Sequence, residues 1–595
     1  MQKGFKPFLV NLAVLIFGAI LFALSFPNLL FANGLPLLAW FAYIPVFWVI
    51  RRAGLGACVF WGALYGYASY GLYNYWLSVF HPLAGLIVGS IYLVYLALLF
   101  PLLRLAVLAF PKRGYIVQWI IWIAFEYLKA QGFLAYSYGI TGYSQWHLLP
   151  VIQIADITGV WGVSALVVFP SAWLASALSE NNHTKISYKD TKTHRTFGSR
   201  QKENSVISNS PSDPNRELKR KLPLSNLALL FVPLCLRVGF CVKSFFRREW
   251  VSAVVWLVLL TVSLIYGFGS RIDYSDAKMA RIALIQHNTD PWAPSKSRNP
   301  IEDYRTDFRI LKRLSDETLA AHADTDLVVW SETAFVPRIY WHTTIRDDSR
   351  YWELVKELLE YLRGQTVPFV LGNDDARRDP SINPRGDNRV DYNAAMLFER
   401  GEMKALYRKL HLVPFTEHFP YEKQFPWIYD ALINADTHFW EKGTEATVFD
   451  AGGFRFSTPI CFEDTFGYIS RKFTANGAEL IVNLSNDAWS ASLPAQMQHL
   501  SMAVFRAVEN RRSMVRSTAS GQTCGIDPNG RILAMAEPFA ESCLSVVVPI
   551  VTPKTSYTQY GDYLGIGFAW ASLALLITCF VLCILRLKKR SQNKL

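Results

Sequence analysis

Three residues in the second half of the chain could together carry out acyl transfer. Glu332 closes the apolar run DLVVWSE, Lys409 opens KLHLVPF after ALYR, and Cys461 closes FRFSTPIC. A carboxylate can take the proton of a thiol, the thiolate can attack a carbonyl carbon, and an ammonium can stabilise the oxyanion that forms. Each residue is weak evidence alone. A lone cysteine is more often a small buried hydrophobe than a nucleophile. A glutamate at a strand end can cap a helix, and a lysine is ordinarily a solvated surface charge. Their shared setting shifts the balance, because α/β folds gather reactive side chains where strands end and a crevice begins. The eight cysteines include no CxxC pair, so neither a metal spacing nor a disulfide framework is indicated. Cys524 and Cys543 stay open as partners of Cys461. With no GxGxxG after a strand, no GxxxxGK[ST] and no HExxH, no metal or organic cofactor is expected.

The elements that must position these residues are legible over 274–552. Strand-like runs alternate with amphipathic helical patterns. ARIALIQHN precedes a helix over 302–321, DLVVWSE precedes one over 351–363, and AELIVNLSND precedes one over 495–511. NAAMLFERGEMKALYRK reads as a hairpin, and SMVRSTAS, RILAM and CLSVVVPI close the region as strands. This is an α/β domain.

The rest of the chain is far more apolar. The composition is 51% hydrophobic and 18% charged, with a mean hydropathy of +0.17, which points to a membrane protein with a soluble part. Spans are expected near 8–26, 35–50, 56–78, 84–110, 115–131, 158–178, 250–268 and 561–586. Glu126 is the clearest charge inside them. Basic residues occupy alternate connections: Lys3 and Lys6, Arg51 and Arg52, Lys112 and Arg113, a long basic insert, and the closing RLKKRSQNK. That pattern follows the positive-inside rule and accounts for the net charge of +13 without a nucleic-acid partner. Seven spans then place the α/β domain outside the cytoplasm, and the eighth returns the tail inside. The segment 223–242 is nearly apolar enough to span, but its basic flanks and Arg237 favour an interfacial segment returning to the same face. The resulting layout is six spans in 1–179, an insert at 180–249, a seventh span in 250–273, the α/β domain at 274–552, and an eighth span with its tail at 553–595.

With these residues in view, the α/β domain resembles the nitrilase, or carbon–nitrogen hydrolase, superfamily, whose members carry a Glu-Lys-Cys triad on an αββα sandwich. The whole architecture resembles one branch, the bacterial apolipoprotein N-acyltransferases. The motifs are WSETA at 330–334, YRKLHLVPFTEHFP at 407–420, PICFEDTF at 459–466, NLSNDAW at 483–489 and QHL at 498–500. The resemblance implies Glu332 as general base, Lys409 as oxyanion stabiliser and Cys461 as nucleophile. It adds Glu417 as a second essential glutamate and Glu463 as an acidic neighbour of the nucleophile. Strand alternation from Cys461 puts Glu463 on the same face. Trp292 and Trp489 are candidate substrate contacts.

The resemblance further implies a phospholipid acyl donor and a diacylated apolipoprotein acceptor, joined by ping-pong transfer through a thioester. It implies a monomer in the inner membrane with its catalytic domain on the periplasmic side. The aromatic stretch 419–440 is a candidate lid. Ser331, His287, Thr416, Ser490 and Ala491 depart from the family pattern without removing a triad member. A tethered amidase would share the triad but leave the many spans unexplained. A transporter or receptor with an inactive outer domain would leave the triad unexplained.

Overall fold

The computed structural model describes residues 2–80, 82–179, 248–289, 299–379, 389–434 and 437–592. The 223–242 segment, nearly all of the 180–249 insert and Trp292 lie outside the described residues. Each of the eight expected spans carries helix. Among the described residues five helices are long and apolar enough to cross a membrane: Lys6–Ser25, Ala84–Ala109, Val160–Ser179, Arg248–Gly269 and Tyr563–Lys589. The second expected span differs, being two helices, Pro36–Ala39 and Ile44–Arg52. The reason is local: Pro36 and Pro45 lack an N–H, and each is accommodated in the first turn of its own helix.

The membrane half is packed closely. Gly62 and Gly66 lie one turn apart on helix Leu55–Tyr73. A Cβ on either would stand 2.1 Å from the Leu96 carbonyl oxygen or 2.2 Å from that of Tyr92, so only glycine lets this helix lie against Pro82–Ala109. Val160–Ser179 is buried along nearly its whole length and forms the centre.

The other half is an αββα sandwich. One sheet has the order β12-β1-β2-β3-β4-β5, with β1 Lys278–Gln286, β2 Leu327–Trp330, β3 Phe369–Arg378, β4 Arg389–Glu399, β5 Glu402–Arg408 and β12 Ser542–Ile550. The second has the order β11-β10-β9-β8-β7-β6, with β6 Val448–Ala451, β7 Phe454–Ser457, β8 Leu480–Ser485, β9 Ser513–Thr518, β10 Cys524–Ile526 and β11 Ile532–Met535. In each sheet three central strands are parallel, β1-β2-β3 and β7-β8-β9. Parallel neighbours need crossover helices, and Pro300–Ala321 and Ser349–Arg363 serve the first sheet, Gly467–Ala475 and Leu493–Asn510 the second.

Alternation divides the strands as a two-faced sheet requires. Ala283, Ile285, Val328 and Trp330 pack with Leu311 and Leu354 of the covering helices. Ile282, Leu284, Leu327 and Val329 share a cluster with Phe456, Val482 and Met514 of the second sheet. Ser517 joins the sheets, its hydroxyl donating to the carbonyls of Ile285 at 3.2 Å and Val329 at 3.1 Å.

The halves are tied by polar contacts. Arg511 pairs with Asp156 at 2.7 Å, and Tyr266 donates to the same carboxylate. Gln498 donates to the carbonyls of Pro27 and Tyr73 and accepts from Trp76 Nε1 at 3.0 Å.

Candidate active site

The reactive groups converge where β2, β5, β7 and β8 end. Glu332 follows β2 in a turn completed by Thr333 at φ 46°. Gly372 of β3 permits that turn, since a Cβ there would stand 2.5 Å from both Ser331 O and Thr333 N. The Glu332 carboxylate accepts from Asn393 Nδ2 at 2.8 Å, Lys409 Nζ at 3.3 Å and the backbone N–H of Asn486 at 2.8 Å. Asn393 lies on the first sheet and Asn486 follows β8 of the second, so both sheets fix this one side chain.

Lys409 is the first residue beyond β5, and its N–H extends the β4–β5 ladder to Asn393 O at 2.9 Å. Its side chain is wholly buried. Nζ reaches Glu417 at 2.8 Å as well as Glu332. Burial alone would lower its pKa, but the Glu417 and Glu332 carboxylates overcome it and hold Lys409 firmly ammonium. Glu417 folds its own turn, with Oε2 accepting from Val413 N at 2.8 Å and its N–H donating to Val413 O at 3.0 Å. Burial pushes its carboxyl up, and Lys409 opposes that.

Cys461 corrects the expectation that it ends a strand. β7 stops at Ser457, and Cys461 opens a 3-10 turn, Cys461–Thr465, at φ 49°. An L-residue seldom adopts this conformation, so the turn holds Cys461 in a strained backbone. The cysteine is free of disulfides. Burial, reinforced by the Glu332 carboxylate and opposed by Lys409, raises the thiol pKa well above its ordinary value, so the resting group is the neutral thiol.

Glu463 is corrected too. Strand alternation does not apply inside a 3-10 turn, and the side chain is wholly buried. It accepts from Leu410 N at 2.7 Å, His411 N at 3.0 Å, Ile460 N at 2.8 Å and the Tyr407 hydroxyl at 2.8 Å. Glu463 therefore stitches the segment after Lys409 to the segment before Cys461, which fixes the distance between them.

Behind the cysteine lies a group whose role sequence reasoning left unassigned. His499 bridges Asp464 at 2.7 Å and Asp487 at 3.0 Å, and Arg516 reaches both aspartates. All four are buried. Burial works against the imidazolium, but Asp464 and Asp487 raise its pKa to about 9. PICFEDTF, NLSNDAW and QHL held three of these residues in view, Asp464, Asp487 and His499, while their pairing with one another and with Arg516 is set by the fold. Trp489 stands 5.7 Å, ring to ring, from Trp76 of the membrane half. Two departures from the family pattern meet, His287 Nδ1 lying 3.5 Å from Ser331 Oγ. Ala491 takes φ 41°, in the left-handed region that glycine adopts most readily.

A six-on-six sandwich with Glu and Lys just beyond their strands and Cys in the turn that follows β7 defines the class, a carbon–nitrogen hydrolase domain built onto a membrane half. Family comparison agrees on both parts: residues 281–553 match the carbon–nitrogen hydrolase model, and residues 18–173 match that of the apolipoprotein N-acyltransferase N-terminal domain. The chain is 41% identical over its full length, and that of the relative, to apolipoprotein N-acyltransferase 1 of Treponema denticola. It is 44% identical to apolipoprotein N-acyltransferase 1 of Treponema pallidum over 96% of this chain and 95% of that one. The apolipoprotein N-acyltransferase of Geobacter metallireducens is 29% identical over 94% of this chain and 92% of its own. The chain belongs to the apolipoprotein N-acyltransferase family.

Proposed function

We propose that this chain moves an acyl group from a membrane phospholipid to the free α-amino group of the diacylglyceryl-cysteine that begins an apolipoprotein, through a thioester on Cys461. One observation carries the reading: Lys409 Nζ held between Glu332 and Glu417 beside a cysteine in a turn at positive φ. In the first half-reaction Glu332 takes the Cys461 proton as sulfur attacks the ester carbonyl carbon. Lys409 stabilises the oxyanion. Collapse breaks the ester C–O bond, and the leaving lysophospholipid oxygen takes the proton from Glu332. In the second, the acceptor amine attacks the thioester, Glu332 takes its proton, and the C–S bond breaks as sulfur is reprotonated. An amide and the free enzyme result.

The charge count supports these roles. Two carboxylates and one ammonium give the resting site a net charge of −1. When Glu332 is protonated and the oxyanion has formed, the net charge is again −1. The buried site therefore changes charge distribution but not total charge, which limits the desolvation cost of the step.

Family membership and the apolar helices support a membrane location. We place the enzyme in the inner membrane as a monomer, with residues 274–552 on the periplasmic side and the 180–249 insert in the cytoplasm. The alternation of basic connections favours this layout, and Trp489 fits a wall of the substrate chamber. Trp292 keeps its proposed role from the motif alone.

The test is direct. Enzyme mixed with labelled phospholipid and no acceptor should retain a hydroxylamine-sensitive label, and Cys461→Ala should retain none. Label surviving in Cys461→Ala would sink the assignment. A reporter fused after residue 270 should be active only outside the cytoplasm.

A further inference from the structure

The proposed mechanism uses the membrane half only as an anchor, yet the ionisable side chains buried in that half include a glutamate and a lysine next to the loop 131–141 with no assigned task. Glu126 and Lys129 lie one turn apart at the end of helix Gly114–Leu128, and both are buried. Among the described residues neither makes an ion pair with the other or with any third group. Trp122 Nε1 donates to Glu126 at 3.2 Å and the Tyr92 hydroxyl lies 3.5 Å from Lys129 Nζ, but most of their partners come from the segment that follows them. Lys129 Nζ donates to Tyr138 O at 2.6 Å and Tyr136 O at 3.4 Å, and stands 5.2 Å and 5.5 Å from the ring centres of Tyr70 and Tyr92. Glu126 accepts from the N–H and the hydroxyl of Thr141. A buried ammonium without a carboxylate is costly, and here the compensation comes from loop carbonyls and ring faces.

That loop reaches the candidate active site on two sides. Phe133 packs on Phe415 at 5.4 Å and Tyr421 at 5.3 Å, either side of Glu417 in the chain. Tyr138 packs on Trp76 at 5.8 Å, and Trp76 on Trp489 at 5.7 Å, three residues beyond the Asn486 N–H that holds Glu332. The loop thus touches the segment bearing one carboxylate partner of Lys409 and, through Trp76, reaches the segment fixing the other.

We infer that Glu126 and Lys129 are positioning residues that hold the 131–141 loop as the membrane-side wall of the substrate chamber, setting how a phospholipid is presented to Cys461. The inference rests on the thioester reading above. A small soluble ester needs the nucleophile but not the wall, which separates the two. Lys129→Met should lower thioester formation from phospholipid by about 100-fold, chiefly through KM, because small misplacements of a bound reactant cost that much. Release of p-nitrophenol from p-nitrophenyl butyrate should stay within about threefold of wild type. Lys129→Arg, which keeps charge and donors, should restore most of the phospholipid reaction. If Lys129→Met does not yield folded protein, Phe133→Ala probes the same wall from its half-exposed side. It should show a selective loss of about tenfold on phospholipid. Equal losses on both substrates in a protein that melts with wild type, or no loss on either, would overturn the inference. Cys461→Ala must abolish both reactions; if it does not, the thioester reading falls on that result alone.

Discussion

Among the described residues two lysines are buried, one in each half of the molecule, and they are compensated by opposite means. Lys409 lies between two carboxylates at 2.8 and 3.3 Å. Lys129 meets two carbonyls and two aromatic faces. The contrast matters because the two environments suit different work. Flexible proton exchange at Glu332 can alter the charge around Lys409 during a reaction cycle. Lys129 lies against loop carbonyls, two ring faces and the Tyr92 hydroxyl at 3.5 Å, with no carboxylate in contact, as holding a loop requires. The catalytic half stores charge in pairs that chemistry can redistribute, and the membrane half uses charge as a fixed tether.

The largest effect should come from emptying each environment in turn. Lys409→Met leaves two buried carboxylates facing each other. It should cost about 3–5 kcal/mol of stability and about a thousandfold in thioester formation. Lys129→Met breaks no ion pair, since Glu126 keeps its own hydrogen bonds from Thr141 and Trp122. Its cost should be about 1–2 kcal/mol, from two carbonyls that lose a donor. Denaturation of both variants in the same detergent checks the order, and a greater loss in Lys129→Met would break the comparison.

His499 extends the paired-charge logic behind the nucleophile, and it yields a pH dependence. Its pKa is raised from 6.5 to about 9, since Asp464, Asp487 and the fold around them favour the imidazolium despite burial and the nearby Arg516. A raised histidine contributes stability that is complete below the unfolded pKa and is lost as pH rises through the folded one. Between pH 6.5 and pH 9 the protein should therefore lose about 3 kcal/mol of stability. His499→Gln should flatten that slope in melting experiments, and an unchanged slope would remove His499 from the account.

Glu463→Gln comes next. An amide oxygen cannot serve four donors, and its NH2 would face N–H groups of Leu410, His411 or Ile460. A loss of about 1–3 kcal/mol is expected, with thioester formation down about tenfold to a hundredfold because Lys409 and Cys461 lose their common brace. Full activity in a destabilised variant would restrict Glu463 to folding.

These cases show what the sequence made legible and what it hid. The alternating strands and helices of the α/β half were readable from hydrophobic period, and Glu332 and Lys409 from their places just beyond β2 and β5, whereas Cys461 was singled out as a strand end and stands instead at the start of a 3-10 turn. Glu463 was readable as a residue but not as a brace, because the reading took the chain after Ile460 to be extended. The His499 group joins positions spread from 464 to 516, and only β9 and helix Leu493–Asn510 bring them together. Lys129 was hidden more deeply. Its partners are backbone carbonyls and ring faces, which leave no pattern of charged residues to find.

The smallest effect should fall where the catalytic half meets lipid by its own means. Helix Pro426–Asn434 buries none of its side chains, and Trp427 is 69% exposed, flanked by exposed Phe425 and Ile433. Indole rings favour the membrane–water interface, which supports the expectation that the 419–440 stretch serves as a lid at the lipid edge of the proposed chamber. Trp427→Ser removes one interfacial contact and no packing. The KM for phospholipid vesicles should rise about threefold, with kcat, the butyrate reaction and the melting temperature unchanged. If kcat falls instead, the helix takes part in closing the chamber over the thioester, and the division between a wall that positions and an edge that only meets lipid must be redrawn.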